Sequence, residues 1–136
     1  MTDHERLIAP DLFPPPGYAH AIITEGGRLV HCAGACPIDE EGRVVDGGVG
    51  TQTMQCLANL RSQLAVAGAD FGAIVQARIY VATMTREDLS QAWSVVEGTP
   101  VGSAACTLIG VSVLGYDRQL VEIEAVAALR AGDQGR

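Results

Sequence analysis

Residues 51–83 read TQTMQCLANLRSQLAVAGADFGAIVQARIYVAT, and this stretch contains two hydrophobic periods back to back. In its first half Leu57, Leu60, Leu64 and Ala67 recur at intervals of three and four, which predicts one buried face of a helix over 51–67. Gly68 follows where a left-handed C-terminal cap would sit. From residue 73 the period becomes two. Val75, Ala77, Ile79 and Val81 alternate with Gln76, Arg78 and Tyr80, predicting a strand over 73–83 with one apolar and one mixed face.

Downstream, Thr85-Arg86-Glu87-Asp88 has the look of a helix-start cap, and a second helix is expected to run to residue 97. The segment GTPVGS reads as a loop. Two strands follow, over 105–113 and 119–128, joined by a turn at Gly115-Tyr116-Asp117. In the last strand Val121, Ile123, Ala125 and Ala127 share one face, while Leu120, Glu122, Glu124 and Val126 share the other. Two carboxylates on one face of an otherwise apolar strand form the most unusual local feature of the chain.

Upstream, YAHAIIT (18–24) and RLVHCAG (28–34) read as two strands of a hairpin turning at Gly26-Gly27, with a short strand possible at 43–45. The run Phe13-Pro14-Pro15-Pro16-Gly17 predicts an extended N-terminal arm over 1–16, followed by a single domain over 17–129 and a tail over 130–136. The order ββ-α-β-α-ββ predicts an α+β fold, a mixed sheet with two helices packed on one face. The other sheet face then needs cover. Its apolar members, with a charged fraction of only 18%, point to an oligomer interface.

At 136 residues the chain has the length of one domain, and 48% hydrophobic content excludes a disordered polymer. The net charge of −7 and the absence of any Lys/Arg cluster disfavour nucleic-acid binding. No run of 18 apolar residues occurs, and MTDHERLIAPDLFPPP lacks a signal pattern, so the expectation is a cytoplasmic protein with no membrane association. In a reducing compartment Cys32, Cys36, Cys56 and Cys106 are expected as free thiols. Cys32 and Cys36 are spaced C-x3-C without a second pair of ligands, and no Gly-rich loop has a phosphate-binding setting. Neither a metal nor a cofactor is expected.

Five pieces, in this order, carry a family resemblance: Gly17-Tyr18-Ala19-His20-Ala21, LVHCAGACPID, QTMQCLANLRSQLAVAGAD, VQARIYVATM and LVEIEAVA. Together they resemble the Rid family of reactive-intermediate deaminases, also called the YjgF family, over about residues 17–129. The resemblance implies a chorismate-mutase-like protomer and a homotrimer with clefts between adjacent subunits. There, family members hydrolyse enamines or imines to a ketone and ammonia. It also implies roles for particular residues. Tyr18 and Gly34 fall on cleft-lining positions, and Glu122 on the glutamate that positions the attacking water. The family's cleft arginine, which grips a substrate carboxylate and is followed by Ser or Thr, falls on Cys106, with Thr107 after it. Trp93 falls at or beside a family asparagine.

That departure has a physical consequence. Arginine presents a fixed fork of donors and a permanent charge to a carboxylate, and a thiol presents neither. Cys106 can be read as a nucleophile or as a small hydrophobe filling the space the arginine left. His20, two residues after Tyr18, can be a proton carrier or a satisfied sheet histidine. Glu122 is expected to handle water, whereas Glu124 is expected to be a partly buried or interface carboxylate. The substrate expected is a small enamine, imine or related electrophile outside the standard amino-acid-derived imino acids. A ligand-binding protein of the same fold and a Cys106-centred catalyst are the alternatives.

Overall fold

A computed structural model describes residues 4–130. Helix α1 (Val49–Ala65) buries Cys56, Leu57, Leu60 and Leu64, the face that the spacing of its leucines specifies. Burial of a leucine such as Leu60 contributes roughly 1.5–3 kcal/mol. The helix ends where Gly68 takes φ 77°, with the Gly68 N–H donating to the Ala65 carbonyl and the Ala69 N–H to the Leu64 carbonyl. That crossed pair satisfies carbonyls which the last turn would leave open.

Six strands are present among the described residues: β1 (His4–Leu7), β2 (Ala21–Thr24), β3 (Leu29–His31), β4 (Ile74–Ala82), β5 (Ala105–Val111) and β6 (Val121–Ala128). A four-stranded sheet runs β3-β6-β4-β5, with β4 and β5 parallel and the other pairs antiparallel. Parallel neighbours need a crossover, and helix α2 (Arg86–Val96) supplies it between β4 and β5. The Thr85 hydroxyl caps α2 by accepting from the Asp88 N–H. GTPVGS, expected as a loop, contains a single 3-10 turn over Pro100–Ser103. The architecture is α+β, with a mixed sheet and both helices on one face.

The N-terminal region differs from the sequence reading. The expected hairpin between 18–24 and 28–34 does not pair with itself: β2 pairs antiparallel with β1, and β3 with β6. Gly26 and Gly27, both at positive φ, turn the chain, but each arm of the turn is taken by another strand. Arg6 ties β1 down, donating from Nε to the Ser103 carbonyl and from Nη2 to the Gly17 carbonyl. The expected N-terminal arm therefore holds a strand. The expected tail over 130–136 lies outside the described residues apart from Arg130.

Strand β4 corrects one further detail. A register shift between Ile74 and Gln76 puts Ile74 in the core and leaves Val75 half-buried, although simple alternation assigns Val75 to the apolar face. From Ala77 onward the alternation holds. Ala77, Ile79 and Val81 are buried opposite Ala125, Ile123 and Val121.

Candidate functional site

The strand register fixes which way each candidate side chain points. Residues directly opposite one another share a sheet face, so Cys106 lies with Ala77 and Ala125 on the face covered by the helices. A Cβ added to Gly110, on the same face of β5, would stand 3.9 Å from Leu89 of α2. Glu122 lies level with Tyr80 on the opposite, open face, and Thr107 lies level with Arg78 and Glu124 there.

The first group of candidates forms a cavity of about 390 Å³ beside β5, lined by Pro16, Tyr18, Trp93, Cys106, Thr107 and Leu108. Tyr18 is the hinge of this group. Its ring meets Trp93 edge-on at 6.3 Å between centroids and His20 edge-on at 6.2 Å. Tyr18 and His20 precede β2 rather than lying in it, yet they still flank the buried Ala19. His20 Nδ1 accepts from the Ala9 N–H at 3.0 Å, which assigns the proton of the neutral ring to Nε2. The Cys106 thiol donates to the Val101 carbonyl at 3.2 Å, and burial pushes it up to about 11. At neutral pH it is a thiol. No charged side chain lines this cavity among the described residues.

The second group is built around Glu122. Ala35 and Ile123 exchange backbone hydrogen bonds of 2.7 and 3.1 Å, which lays Gly34 against the Glu122 carboxylate. The approach is so close that a Cβ on Gly34 would stand 2.7 Å from the carboxyl carbon. Glu122 Oε1 accepts from Gln119 Nε2 at 3.0 Å and from the Cys36 thiol at 3.4 Å. Helix α1 holds the surrounding loop: Gln63 donates to the Ala33 carbonyl, and Asn59 to those of Cys36 and Ile38. Gln52 donates to the carbonyls of Val45 and Arg118 and accepts from the Leu120 N–H.

Glu124 is engaged elsewhere on the open face. Its Oε1 accepts from the Tyr80 hydroxyl at 2.6 Å and lies 3.5 Å from Arg78 Nη1, and that hydrogen bond raises the Tyr80 hydroxyl above its ordinary range. The Glu124 side chain is partly buried, one of the two settings expected for it. All four cysteines are free, and no cluster of three or more His, Cys, Asp or Glu poised to hold a metal occurs among the described residues. No described helix is long and apolar enough to cross a membrane.

Comparison with known proteins places this arrangement. The family model described as Endoribonuclease L-PSP matches residues 12–129. The chain belongs to this family, the Rid or YjgF family. It is 31% identical over 128 residues to the mitochondrial protein mmf1 of Schizosaccharomyces pombe, covering 93% of this chain and 77% of that one. A RutC family protein of Pyrococcus horikoshii is 30% identical over 125 residues, covering 90% of this chain and 97% of the relative. Among solved structures, the Rid family protein YyfB of Yersinia pestis, described as of unknown function, superposes with a TM-score of 0.86 at 32% identity. That match covers 93% of this chain and 99% of YyfB.

Within this Rid protein the candidates divide in two. Tyr18, Trp93, Cys106 and Thr107 line one cavity with His20 behind Tyr18, while Gly34 and Glu122 meet at a separate place. Sequence reasoning missed Cys36 and Gln119, which hold Glu122 Oε1. Cys36 entered it only as half of a C-x3-C spacing. Gln119 carried a weak signal, since it lies three residues before the glutamate with no strand period linking them.

Proposed function

We propose that this Rid protein hydrolyses an imine, enamine or related small electrophile in a cleft built jointly by adjacent copies of the chain. The observation that carries this reading is the placement of Cys106 and Glu122 on opposite faces of one sheet. A substrate resting on the Tyr18–Trp93 wall of one protomer can meet the Glu122 carboxylate only of another. The uncovered sheet face, which bears Arg78, Tyr80 and Glu124, is the surface offered to that neighbour, and a homotrimer is the assembly the family resemblance implies.

In the cleft, Glu122 accepts a proton from water as the oxygen adds to the carbon of the C=N bond. That proton passes to nitrogen to give the carbinolamine; Glu122 then carries the carbinolamine's hydroxyl proton to nitrogen as the C–N bond breaks, and the products are a ketone and ammonia. Glu122 is restored. Gly34 leaves room for the carboxylate beside it, and His20, in ring contact with Tyr18, is a candidate second proton carrier. Cys106 acts as part of a neutral wall, because its thiolate fraction at pH 7 is about one in ten thousand for a group near 11. A cavity without a cation favours a substrate that brings no carboxylate to that end. A net charge of −7 argues against RNA as substrate despite the family's name. Free thiols suit a reducing compartment such as the cytoplasm.

The test generates neutral imines from simple amines in the presence of semicarbazide and measures the loss of trapped product. Wild type is expected to lower the yield and Glu122→Ala to restore it. Full activity in Glu122→Ala overturns the reading. The charge-free cavity favours a second reading, a protein that binds such a ligand without turning it over. Recovery of an unchanged ligand from the purified protein would support that alternative.

A further inference from the structure

Glu122 has two carboxylate oxygens, and the surroundings treat them differently. Oε1 takes both hydrogen bonds the site supplies, from Gln119 Nε2 at 3.0 Å and from the Cys36 thiol at 3.4 Å. Oε2 has no hydrogen-bond partner among the described residues and is the oxygen that lies over Gly34. A carboxylate free to rotate would present either oxygen. This one is clamped on one side.

We propose that Cys36 and Gln119 are the positioning residues of Glu122, holding Oε1 so that Oε2, above Gly34, is the oxygen left to bind and deprotonate water. This rests on the hydrolytic reading above and adds to it the residues that aim the base. Three features support it. Cys36 is itself fixed, because Asn59 of α1 donates to its carbonyl at 2.7 Å. The Gln119 amide is fully committed: Nε2 also donates to the Val121 carbonyl at 3.0 Å, and Oε1 accepts from the Tyr116 N–H at 3.1 Å. The Cys36 thiol is pushed up to about 11, first by burial and then by its hydrogen bond to Glu122, so it remains an S–H donor across the working pH range.

Two readouts on the whole protein test the assignment. In the imine-trapping assay Cys36→Val, which replaces the thiol by a slightly larger apolar group and removes the donor, is expected to lower kcat about five-fold with KM unchanged. Cys36→Ser, whose hydroxyl can donate, is expected to recover most of that loss. Equal activity of the Val variant and wild type, or equal loss in Val and Ser, overturns the proposal. Independently of turnover, Glu122→Gln is expected to raise the alkylation rate of Cys36 by iodoacetamide at pH 8 at least about three-fold, read by peptide mass spectrometry, because the carboxylate that holds the proton on sulfur is gone. An unchanged alkylation rate means the thiol does not serve the carboxylate, and the proposal fails. Should Glu122→Gln instead keep full hydrolytic activity, it is the hydrolytic reading that falls, while the alkylation result still judges the Cys36–Glu122 pair.

Discussion

Cys106 and Glu122 stand on opposite faces of the same sheet, Cys106 level with Ala77 under the helices and Glu122 level with Tyr80 on the open side. Two groups on opposite sides of a sheet, with β4 between their strands, cannot grip one small molecule. The candidate site of a single chain is thus two half-sites, one aromatic and neutral, the other carboxylate-bearing and polar. Each half is held by hydrogen bonds or ring contacts within the one chain, while Glu122 Oε2 is left without a partner among the described residues.

Cys106→Arg should confer activity on imino acids that carry a carboxylate. The cavity of about 390 Å³ has room at the edge of β5 for a longer side chain, and it offers an anion no cation as it stands. A charge-assisted contact of ~1.5–3 kcal/mol corresponds to a gain of about ten-fold or more over wild type. The semicarbazide assay with imines from an amino-acid oxidase measures it. Wild type consuming these imines as fast as the variant would show that the missing arginine is no barrier.

Gly34→Ala should destabilise the protein chiefly through Glu122. The three atoms nearest the added methyl all belong to the Glu122 side chain, which is clamped at Oε1, so the expected cost is about 1–3 kcal/mol in urea denaturation. In a Glu122→Ala background the same change should cost little, since the obstructing side chain is gone. Additive costs in the double-mutant cycle would place the strain elsewhere in the backbone.

Much of this architecture is legible in the sequence, for identifiable reasons. The spacing of Leu57, Leu60 and Leu64 marks α1, and the alternation from Ala77 to Val81 marks β4, because each element buries one face against the other. Pairing is less legible. Nothing local in 18–34 reveals that β1 would take β2 and β6 would take β3, since the partners are remote in sequence. Period-two reasoning does place Glu122 on the face away from the core. What it leaves out is Cys36, brought to Glu122 only by the bridge between Ala35 and Ile123. The same period in β5 puts Cys106 with Leu108 and Gly110, so its separation from Glu122 follows once β4 is known to lie between the two strands.

Leu60→Ala should cost about 2–5 kcal/mol in chemical denaturation with the cleft chemistry intact, because Leu60 is fully buried in the core between α1 and the sheet. A cost below about 1 kcal/mol would mean that the core collapses onto the vacated space.

Alkaline pH should weaken the fold, and Cys56 should account for part of the loss. This thiol is completely buried, donates to the Val121 carbonyl at 3.5 Å, and is raised far above its ordinary value of 9.0 by burial first and then by its acidic neighbours Cys36 and Glu122. Below pH 9 both folded and unfolded chains keep the proton, so pH has no leverage through this group. Above pH 9 the unfolded chain releases the proton while the folded chain holds it. Stability then falls with rising pH, at up to about 1.4 kcal/mol per pH unit for each thiol that ionises only on unfolding. Cys56→Val removes the titrating group while keeping a small apolar side chain in place. Urea midpoints between pH 8 and pH 10.5 should therefore fall less steeply in the variant than in wild type. Parallel slopes would show that Cys56 ionises equally in both states, which its burial against β6 does not allow.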